Sequence, residues 1–448
     1  MRGSVFCFAL VVAGLQLGCG SESEDSGPTL PEGCDYWVET SPEVQDVLQT
    51  TLIEAAENTT VCVGEGTFSF TTEISSSVDG LTIRGMGAER TIFDFTNQDV
   101  GGNGLHITGD GVTLEDFEVR NPPGDGIRSE DVNGIVYRRL RVVWTTPASR
   151  ENGAYGLYPV KSQNVLVEDC YVTGASDAGI YVGQSSGILV RRNEVTGNVA
   201  GIEIENSVDA EVVDNNVYGN TGGVLIFNLP ELPMIDGRRA KVHGNQIRDN
   251  NLPNFAPPGA FVYNVPGGSG LIVLASDANQ ISDNIITGND SAGVILTSYL
   301  DDVFGGFDAE NFDRNTEGNF LSNNTYENNG RKPQGIILEL GLSREGQCGG
   351  EGERNCYLNS DCDEGVECVG AEAAPDIIFD GCLGDVQDDS TRNCIKESAN
   401  TRFSTPPGFG FCIDARNRNE GNLESSDLAD FDCEHEELPG QSPMVSAE

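Results

Sequence analysis

The reactive side chains between residues 128 and 205 have types suited to acid–base chemistry. They are Arg128, Glu130, Tyr158, Lys161, Asp177, Tyr181, Glu203 and Glu205. Removing a proton next to a uronate carboxylate requires a base, together with a cation or metal that neutralises the carboxylate. Arg128 or Lys161 suits either of these roles. Tyr158 or Tyr181 suits the role of proton donor.

The carboxylates of this segment offer two further kinds of chemistry. Asp177, Glu203 and Glu205 have the oxygen ligands that calcium prefers. Glu203 together with Asp177 or Glu205 would instead form the carboxylate pair that a glycoside hydrolase needs. Apart from this calcium ion, the sequence indicates no cofactor.

A repeat of about 22 residues has to position these side chains. Ile180 and Ile202, each preceded by glycine, stand 22 residues apart. The aliphatic positions that follow the same pattern are Leu105, Ile127, Leu157, Ile180, Ile202, Val224, Leu271, Val294 and Ile336. A fixed period of this size, with short strands and turns rich in Gly, Asn and Asp, predicts a solenoid of stacked β-coils.

Because side chains point alternately to the two faces of a strand, the repeat predicts which residues share one outer face of the solenoid. If the aliphatic residues point inward, the next residues point outward in one row, namely Arg128, Tyr158, Tyr181 and Glu203. Glu130 and Glu205 lie two positions further along. Strands in adjacent coils are about 4.8 Å apart, close to the length of one sugar residue, so this row suits a linear glycan. Higher coils continue the row with apolar Leu225, Ile272 and Ile295, which either loops or a partner must cover.

Longer gaps in the repeat predict loops at residues 144–154, 229–239, 252–268 and 298–317. We expect all four to leave the solenoid on the same side and to form a wall beside the row. Trp144 would contribute an aromatic surface for substrate, together with Glu130, Tyr158 and Glu205.

Asparagines occupy two positions of the repeat, five residues apart. The first set is Asn193, Asn215, Asn245, Asn284 and Asn324, and the second is Asn198, Asn220, Asn250, Asn289 and Asn329. Asparagine tolerates tight turns, and its amide can bond to the coils above and below, so each set predicts a ladder. Cys170 takes the first position in an earlier coil and should face inward.

The acidic composition of the chain restricts the classes of molecule that it can bind. The chain carries 71 acidic and 26 basic residues, for a formal charge of −45. This charge excludes nucleic acid as a partner. An acidic polysaccharide would need bridging cations or a local basic patch. A salt-rich habitat is the alternative explanation of the charge.

The N-terminus predicts export. Residues 1–18 hold one cation and an apolar run too short to cross a bilayer, which is typical of a secretory signal. The segment LQLGC resembles a bacterial lipobox, which implies lipidation at Cys19 and anchoring in the cell envelope, at the outer membrane. Residues 19–33 would then be a tether. A plain secreted protein is the alternative.

Helical and cysteine patterns predict the two ends of the domain. Residues 43–58 show helical apolar spacing and should cap the first coil. Cys34 and Cys62 lie near this end, and eight cysteines lie between Cys348 and Cys433. These even numbers favour about five disulfides over zinc binding, with Cys170 left free. The predicted division is a capped solenoid at 34–340 and a cysteine-rich region at 341–448.

The repeats resemble the right-handed parallel β-helix repeat of pectate lyases and mannuronan epimerases. Segments such as AGIEIENS, NTGGVLIFNLPELP and the terminal DLADFDCEHEELP are similar to bacterial β-helix lipoproteins of unassigned function. The resemblance implies an all-β, right-handed parallel β-helix. Genes of that family often neighbour one for a c-type cytochrome-like protein, which implies a periplasmic or surface protein partner. The DPHD motif of the epimerases and the pectate lyase signatures are absent.

Two functions follow as hypotheses. The first is binding or modification of an extracytoplasmic polysaccharide by a lyase, epimerase or hydrolase. The alternative is a non-enzymatic interaction scaffold. A groove for chemistry should bring a cation or carboxylate cluster within hydrogen-bond reach, whereas a scaffold should show a broad apolar patch from Leu225 to Ile295.

Overall fold

A computed structural model describes residues 30–299, 305–306, 312–350, 354–382, 388–406 and 425–442. The predicted signal, Cys19 and most of the tether lie outside these residues. Among the described residues, no helix combines the length and the apolar character needed to cross a bilayer.

Three parallel sheets run along the domain, and each complete coil contributes one strand to each sheet. Sheet A contains β1 (Tyr36–Val38), β2 (Thr60–Val63), β5 (Thr82–Arg84), β8 (Val112–Glu115), β11 (Asn133–Arg138), β14 (Gln163–Glu168), β17 (Ser186–Arg191), β20 (Val208–Val213), β23 (Lys241–His243), β26 (Gln280–Ser282), β29 (Phe320–Ser322) and β35 (Cys394–Lys396). Sheet B contains β3 (Gly66–Ser69), β6 (Thr91–Asp94), β9 (Glu118–Arg120), β12 (Arg141–Val143), β15 (Tyr171–Thr173), β18 (Glu194–Thr196), β21 (Asn216–Tyr218), β24 (Gln246–Arg248), β27 (Ile285–Thr287) and β30 (Thr325–Glu327). Sheet C contains β4 (Thr72–Ser76), β7 (Val100–Ile107), β10 (Ile127–Glu130), β13 (Leu157–Val160), β16 (Ala178–Gly183), β19 (Ala200–Glu205), β22 (Gly222–Phe227), β25 (Ser269–Leu274), β28 (Ala292–Thr297), β34 (Ile377–Phe379) and β36 (Phe403–Ser404).

This architecture is the predicted right-handed parallel β-helix, and the predicted register is confirmed coil by coil. Ile127 pairs with Leu157, Ile180 with Ile202, and Val224 with Leu271. The glycine before each aliphatic residue has a packing reason. At Gly201, an added Cβ would lie 2.4 Å from Val217 Cγ1, so β19 can approach β21 this closely only without a side chain at that position.

Both predicted asparagine ladders form. Asn193 donates its backbone and side-chain N–H groups to Asn215 Oδ1, each at 2.9 Å. Asn198 is bonded to Asn220 in the same way. A third ladder, which the repeat did not predict, joins Asn279, Asn319 and Asn393. Each buried amide therefore finds its partner one coil away, which fixes the turns of the solenoid.

Helix α1 (Val44–Glu54) caps the first coil as predicted, but it ends four residues before the expected boundary because Ala55 is extended. Val44, Leu48 and Leu52 are buried against the core. Gln49 accepts a hydrogen bond from the backbone N–H of Ser75 in β4 at 2.9 Å. The open strand edges of the first coil are thus covered.

Ile336 does not begin a strand, contrary to the repeat. It lies in α2 (Gly335–Glu339), and the next strand of sheet C is β34, where Ile377 pairs with Val294. Strand β35 pairs with β29, and β36 pairs with β34. The stacked strands therefore continue beyond the boundary predicted at residue 340.

The insertion before β34 folds as a small antiparallel sheet. Its strands are β31 (Gly346–Cys348), β32 (Asn355–Cys356) and β33 (Cys368–Val369). Short 3-10 helices lie at Phe261–Asn264, Asn359–Asp361 and Leu428–Phe431. The last of these places Phe431 against Phe379 and Phe403, over the final coil.

The disulfides follow the predicted grouping. Described pairs are Cys34–Cys62, Cys348–Cys362, Cys356–Cys368 and Cys394–Cys433, and Cys382 is also disulfide-bonded. Cys170 is free and buried, as expected. Three of the paired cysteines, Cys348, Cys356 and Cys362, lie close together, but their sulfurs are already used in disulfides.

Candidate functional site

The predicted outward row exists on sheet C. His106 pairs with Arg128 and Arg128 with Tyr158, while Tyr181 pairs with Glu203 and Glu203 with Leu225. Glu205 stands beside Glu203 in β19, two positions further along the strand. Parallel pairing therefore brings the predicted site residues onto one face.

Arg128 is the centre of the exposed part of this face. Its guanidinium lies 5.2 Å from the centroid of the Tyr158 ring. Arg128 Nη2 donates to Glu130 Oε2 at 2.7 Å, and Lys161 Nζ donates to Glu130 Oε1 at 2.9 Å. The hydrogen bond from Lys161 is the main cause that lowers the pKa of Glu130, and the same contact raises the pKa of Lys161. The raised pKa keeps Lys161 protonated near neutral pH, so it is poorly suited to removing a proton from a substrate.

Two nitrogen atoms on this face are shielded from water and have no hydrogen-bond partner. They are His106 Nε2 and Arg128 Nε, on neighbouring strands of the row. His106 Nδ1 lies 3.6 Å from Glu73 Oε1. A buried nitrogen without a partner costs about 1–3 kcal/mol, so Arg128 Nε favours a ligand with an acceptor oxygen, and His106 Nε2 favours a hydroxyl, which can either donate or accept. Sequence reasoning assigned no role to His106, although its place directly after Leu105 put it in the row.

Asp125 is a second residue that the sequence analysis did not select. It directly precedes the glycine of its coil, and its carboxylate accepts the backbone N–H of Tyr155 at 3.3 Å. Burial raises its pKa to about 6, against the lowering effects of that hydrogen bond and of Arg128. A half-buried carboxyl with a pKa near neutrality can both donate and accept a proton.

Asp177, Glu203 and Glu205 form a carboxylate cluster further up the face, but in the buried interior rather than on the surface. Glu203 is only 2% exposed, and its Oε2 has no hydrogen-bond partner. Tyr181 donates its hydroxyl to Glu205 Oε1 at 2.5 Å, and Tyr155 bonds to Asp177. Glu203 and Glu205 are also hydrogen-bonded to each other.

Burial raises the pKa values of all three carboxyls in the cluster. It raises the pKa of Asp177 to about 8, with further repulsion from Glu205, and the pKa of Glu205 to about 7. The pKa of Glu203 is also raised, by burial and then by Asp177 and Glu205. Within the described ranges, no ion pair joins these carboxyls to a lysine or arginine. Asp177 and Glu203 are therefore largely neutral near pH 7 and can donate as well as accept hydrogen bonds, whereas Glu205 titrates in that range.

Tyr155 explains why the cluster is enclosed. Its ring centroid lies 4.6 Å from that of Tyr158 and 4.5 Å from that of Tyr181. Burial raises the pKa of Tyr158 to about 12 and that of Tyr155 well above its usual value. The three rings separate the carboxyls from the Arg128 face. Tyr155 lies just beyond the predicted 144–154 loop, directly before the glycine of its coil, and the sequence analysis did not select it.

Several predicted positions need correction. Trp144 packs in the core and donates its indole N–H to the carbonyl of Pro122 at 2.8 Å, so its ring is not presented to a substrate. Tyr181, which was expected on the surface, is 4% exposed. Asp177, Glu203 and Glu205 are not among the described residues whose ligand atoms gather within 4.8 Å, so they form no ready metal cage.

The inserted loops do not all leave on one side. Residues 144–154 and 252–268 lie between sheets B and C, whereas 229–239 and the described residues of 298–317 lie between sheets C and A. They therefore border sheet C from both edges. Leu225, Ile272 and Ile295 are buried beneath this cover, in one apolar cluster with Val262 and Val265. The chain's own loops thus cover the apolar part of the row.

A separate groove of about 470 Å³ lies where sheets A and B meet. Its lining includes Arg139, Arg141, Asp169, Tyr171, Arg192 and Glu194. The arginines are occupied: Arg139 pairs with Asp116 through two bonds, and Arg192 pairs with Asp169 in the same way. This groove is a structural ladder of ion pairs and supplies a control surface for the Arg128 face.

Comparisons with known proteins agree with the fold. Residues 79–231 match the family model described as a right handed beta helix region. No curated protein matches the sequence. Similar solved structures include the A-module of the Azotobacter vinelandii mannuronan C-5 epimerase AlgE4, at 15% identity over 83% of this chain and 93% of that one, with a TM-score of 0.44. Pectate lyase Pel9A is 15% identical over 66% of this chain and 69% of that one, with a TM-score of 0.41. At these values the likeness concerns the fold alone.

Proposed function

We propose that this protein binds a polysaccharide outside the cytoplasm, on the face formed by His106, Arg128 and Tyr158. The observation that carries the proposal is the pair of shielded nitrogens, His106 Nε2 and Arg128 Nε, which lack partners on adjacent strands. Sugar hydroxyl or carboxylate oxygens would satisfy them. The half-exposed Tyr158 ring beside them supplies a stacking surface for a sugar ring.

The alternative, an interaction scaffold docking a cytochrome-like or other surface protein, predicted an open apolar patch from Leu225 to Ile295. Those side chains are covered by loops of the same chain. The cation and carboxylate contacts around Arg128 and Glu130 match the other prediction, a groove for chemistry. We therefore prefer the polysaccharide.

If the bound glycan is also modified, Asp125 is the residue that we assign to proton transfer. Its pKa of about 6 and its place beside Arg128 suit a group that gains and loses a proton near neutrality. Arg128 would neutralise a negative charge on the sugar. Asp177, Glu203 and Glu205 would support this face from behind the tyrosine rings, since their burial keeps them from touching substrate.

The proposed location is the cell envelope, with a lipid anchor at Cys19. The disulfides support an oxidising compartment. The charge of −45 would repel an acidic glycan, so calcium would act as a bridge between glycan and protein rather than as a resident ion. Calcium is therefore a variable in the test.

The test screens the purified protein against uronate and neutral glycans, with and without calcium. Retention, absorbance of unsaturated products and release of reducing ends are measured together. The variant pair Arg128→Gln and Tyr158→Leu should each weaken retention by about tenfold, which corresponds to about 1.4 kcal/mol. Asp125→Asn should keep retention and lose any turnover.

The matched control is the Arg141 and Tyr171 pair on sheet B. There Arg141 lies 4.4 Å from the ring centroid and also pairs with a glutamate, Glu118. Arg141→Gln and Tyr171→Leu should leave retention unchanged. Equal losses from both pairs would move the site elsewhere, and no retention of any glycan would refute the proposed function.

A further inference from the structure

Exposure along the row on sheet C ends abruptly between two neighbouring strands. Ser75 in β4 is exposed, and His106, Arg128 and Tyr158 are partly exposed. From Tyr181 onward the row is buried, through Glu203, Leu225, Ile272 and Ile295. The accessible part therefore comprises the strands β4, β7, β10 and β13.

The burial has a definite physical cause. Phe261, from the loop at 252–268, packs on Phe227 of β22 with ring centroids 5.5 Å apart, and its ring stacks near Tyr299 at 6.3 Å. Val265 of the same loop lies against Gly222. Nearer the accessible strands, the Tyr155 ring packs against the Tyr181 ring. Side chains from both edges of sheet C thus meet over the row and form a wall across it.

At the other end of the row, α1 borders β4 and Gln49 bonds to the backbone of Ser75, but none of the ring contacts among the described residues crosses the row there. The connections from sheet C to sheet A beside the accessible strands are the short turns at 77–81, 108–111, 131–132 and 161–162. Ser75, at the first strand of the row, is exposed. The accessible part of the row, from Ser75 to Tyr158, therefore forms a groove on sheet C that is open toward the N-terminal coils and closed at Tyr181.

We propose that this groove receives the end of a glycan chain rather than an internal segment. The inference rests on the proposed function and concerns how the same face selects its substrate. A chain lying along the row would meet the Tyr155 and Tyr181 rings and could not continue. Four strands span three spacings of about 4.8 Å, or about 14 Å, which accommodates about three to four sugar residues.

The experiment measures stoichiometry with the unaltered protein, so it does not depend on a variant that folds. Size-fractionated mannuronate, galacturonate and xylose oligomers and their parent polymers serve as probes. Binding of each series is measured by calorimetry and by sedimentation. Binding at chain ends predicts a fixed number of proteins per chain, at most one for each end, whatever the chain length. Binding to internal segments predicts a number that rises in proportion to length.

The outcomes separate the two proposals. A constant number per chain, with oligomers of about four residues binding as tightly as the polymer, supports recognition of chain ends. A number that grows with length overturns this inference and leaves the proposed function standing. No binding by any series refutes the proposed function itself, and the inference falls with it.

Discussion

The buried carboxyl cluster should make the protein less stable as pH rises, and Asp177→Asn should remove much of that dependence. The pKa of Asp177 is about 8 in the folded protein and 3.8 in an ordinary environment. Folding therefore holds this proton more tightly than the unfolded chain does. Its stabilising contribution is complete below about pH 4 and is lost progressively as pH rises to about 8.

The size of the effect follows from the two pKa values. At about 1.4 kcal/mol for each pH unit, the difference between 3.8 and about 8 corresponds to a loss on the order of 6 kcal/mol. Glu205, with a pKa of about 7, loses on the order of 3 kcal/mol by the same reasoning. The two losses do not add, because each carboxylate repels the other once both are charged.

The assay is urea unfolding at pH 5, 7 and 9 at constant salt, with disulfides intact, followed by circular dichroism. The wild-type midpoint should fall steadily from pH 5 to pH 9, and the fall should be much smaller in Asp177→Asn. Glu168→Gln is the control. Although burial by itself raises the pKa of Glu168, hydrogen bonds from Arg138, Arg191 and Arg192 hold it at about 2. That variant can change overall stability but not the slope between pH 5 and pH 9. Parallel slopes for wild type and Asp177→Asn would refute the reasoning and mean that the acids are ionised in the folded state.

Three further predictions concern the scaffold. Cys170→Asn should fold and remove the free thiol, because Cys170 already occupies a ladder position, with its backbone N–H bonded to Asn193 Oδ1 and its sulfur beside backbone carbonyls. Thiol titration of the unfolded protein and thermal unfolding check this, and a large loss of stability would contradict it. Asn215→Ala should lower the free energy of unfolding by about 2–4 kcal/mol, because it leaves two N–H groups of Asn193 without their acceptor. Urea unfolding measures this loss, and a loss below about 1 kcal/mol would show that water replaces the missing ladder bonds. Replacing both Cys394 and Cys433 by alanine opens a loop of 39 residues and should lower the free energy of unfolding by about 4 kcal/mol in the same assay. An unchanged urea midpoint would mean that packing alone holds the last coil.

Much of the site could be predicted because repeat position determines direction. The register that places Arg128 opposite Tyr158 and Tyr181 opposite Glu203 follows from the glycine and aliphatic residues alone. His106 obeyed the same rule and could have been selected with them. Tyr155 also occupies a repeat position, directly before the glycine of its coil as Asp125 does in the preceding one, but the repeat does not show that its ring packs against Tyr158 and Tyr181.

The repeat sequence by itself determined the solenoid, its inward residues and its asparagine ladders, since each of these is a contact between equivalent positions one coil apart. It could not determine which outward residues meet solvent. That was decided by side chains that pack over coils other than their own, such as Phe261 of an inserted loop and Tyr155 beside another. Tyr181, Glu203 and Glu205 consequently became interior residues, and burial raises the pKa values of the two glutamates, while Arg128 and Tyr158 remained at the surface. Such contacts depend on loop conformation in three dimensions, and no period in the sequence encodes them.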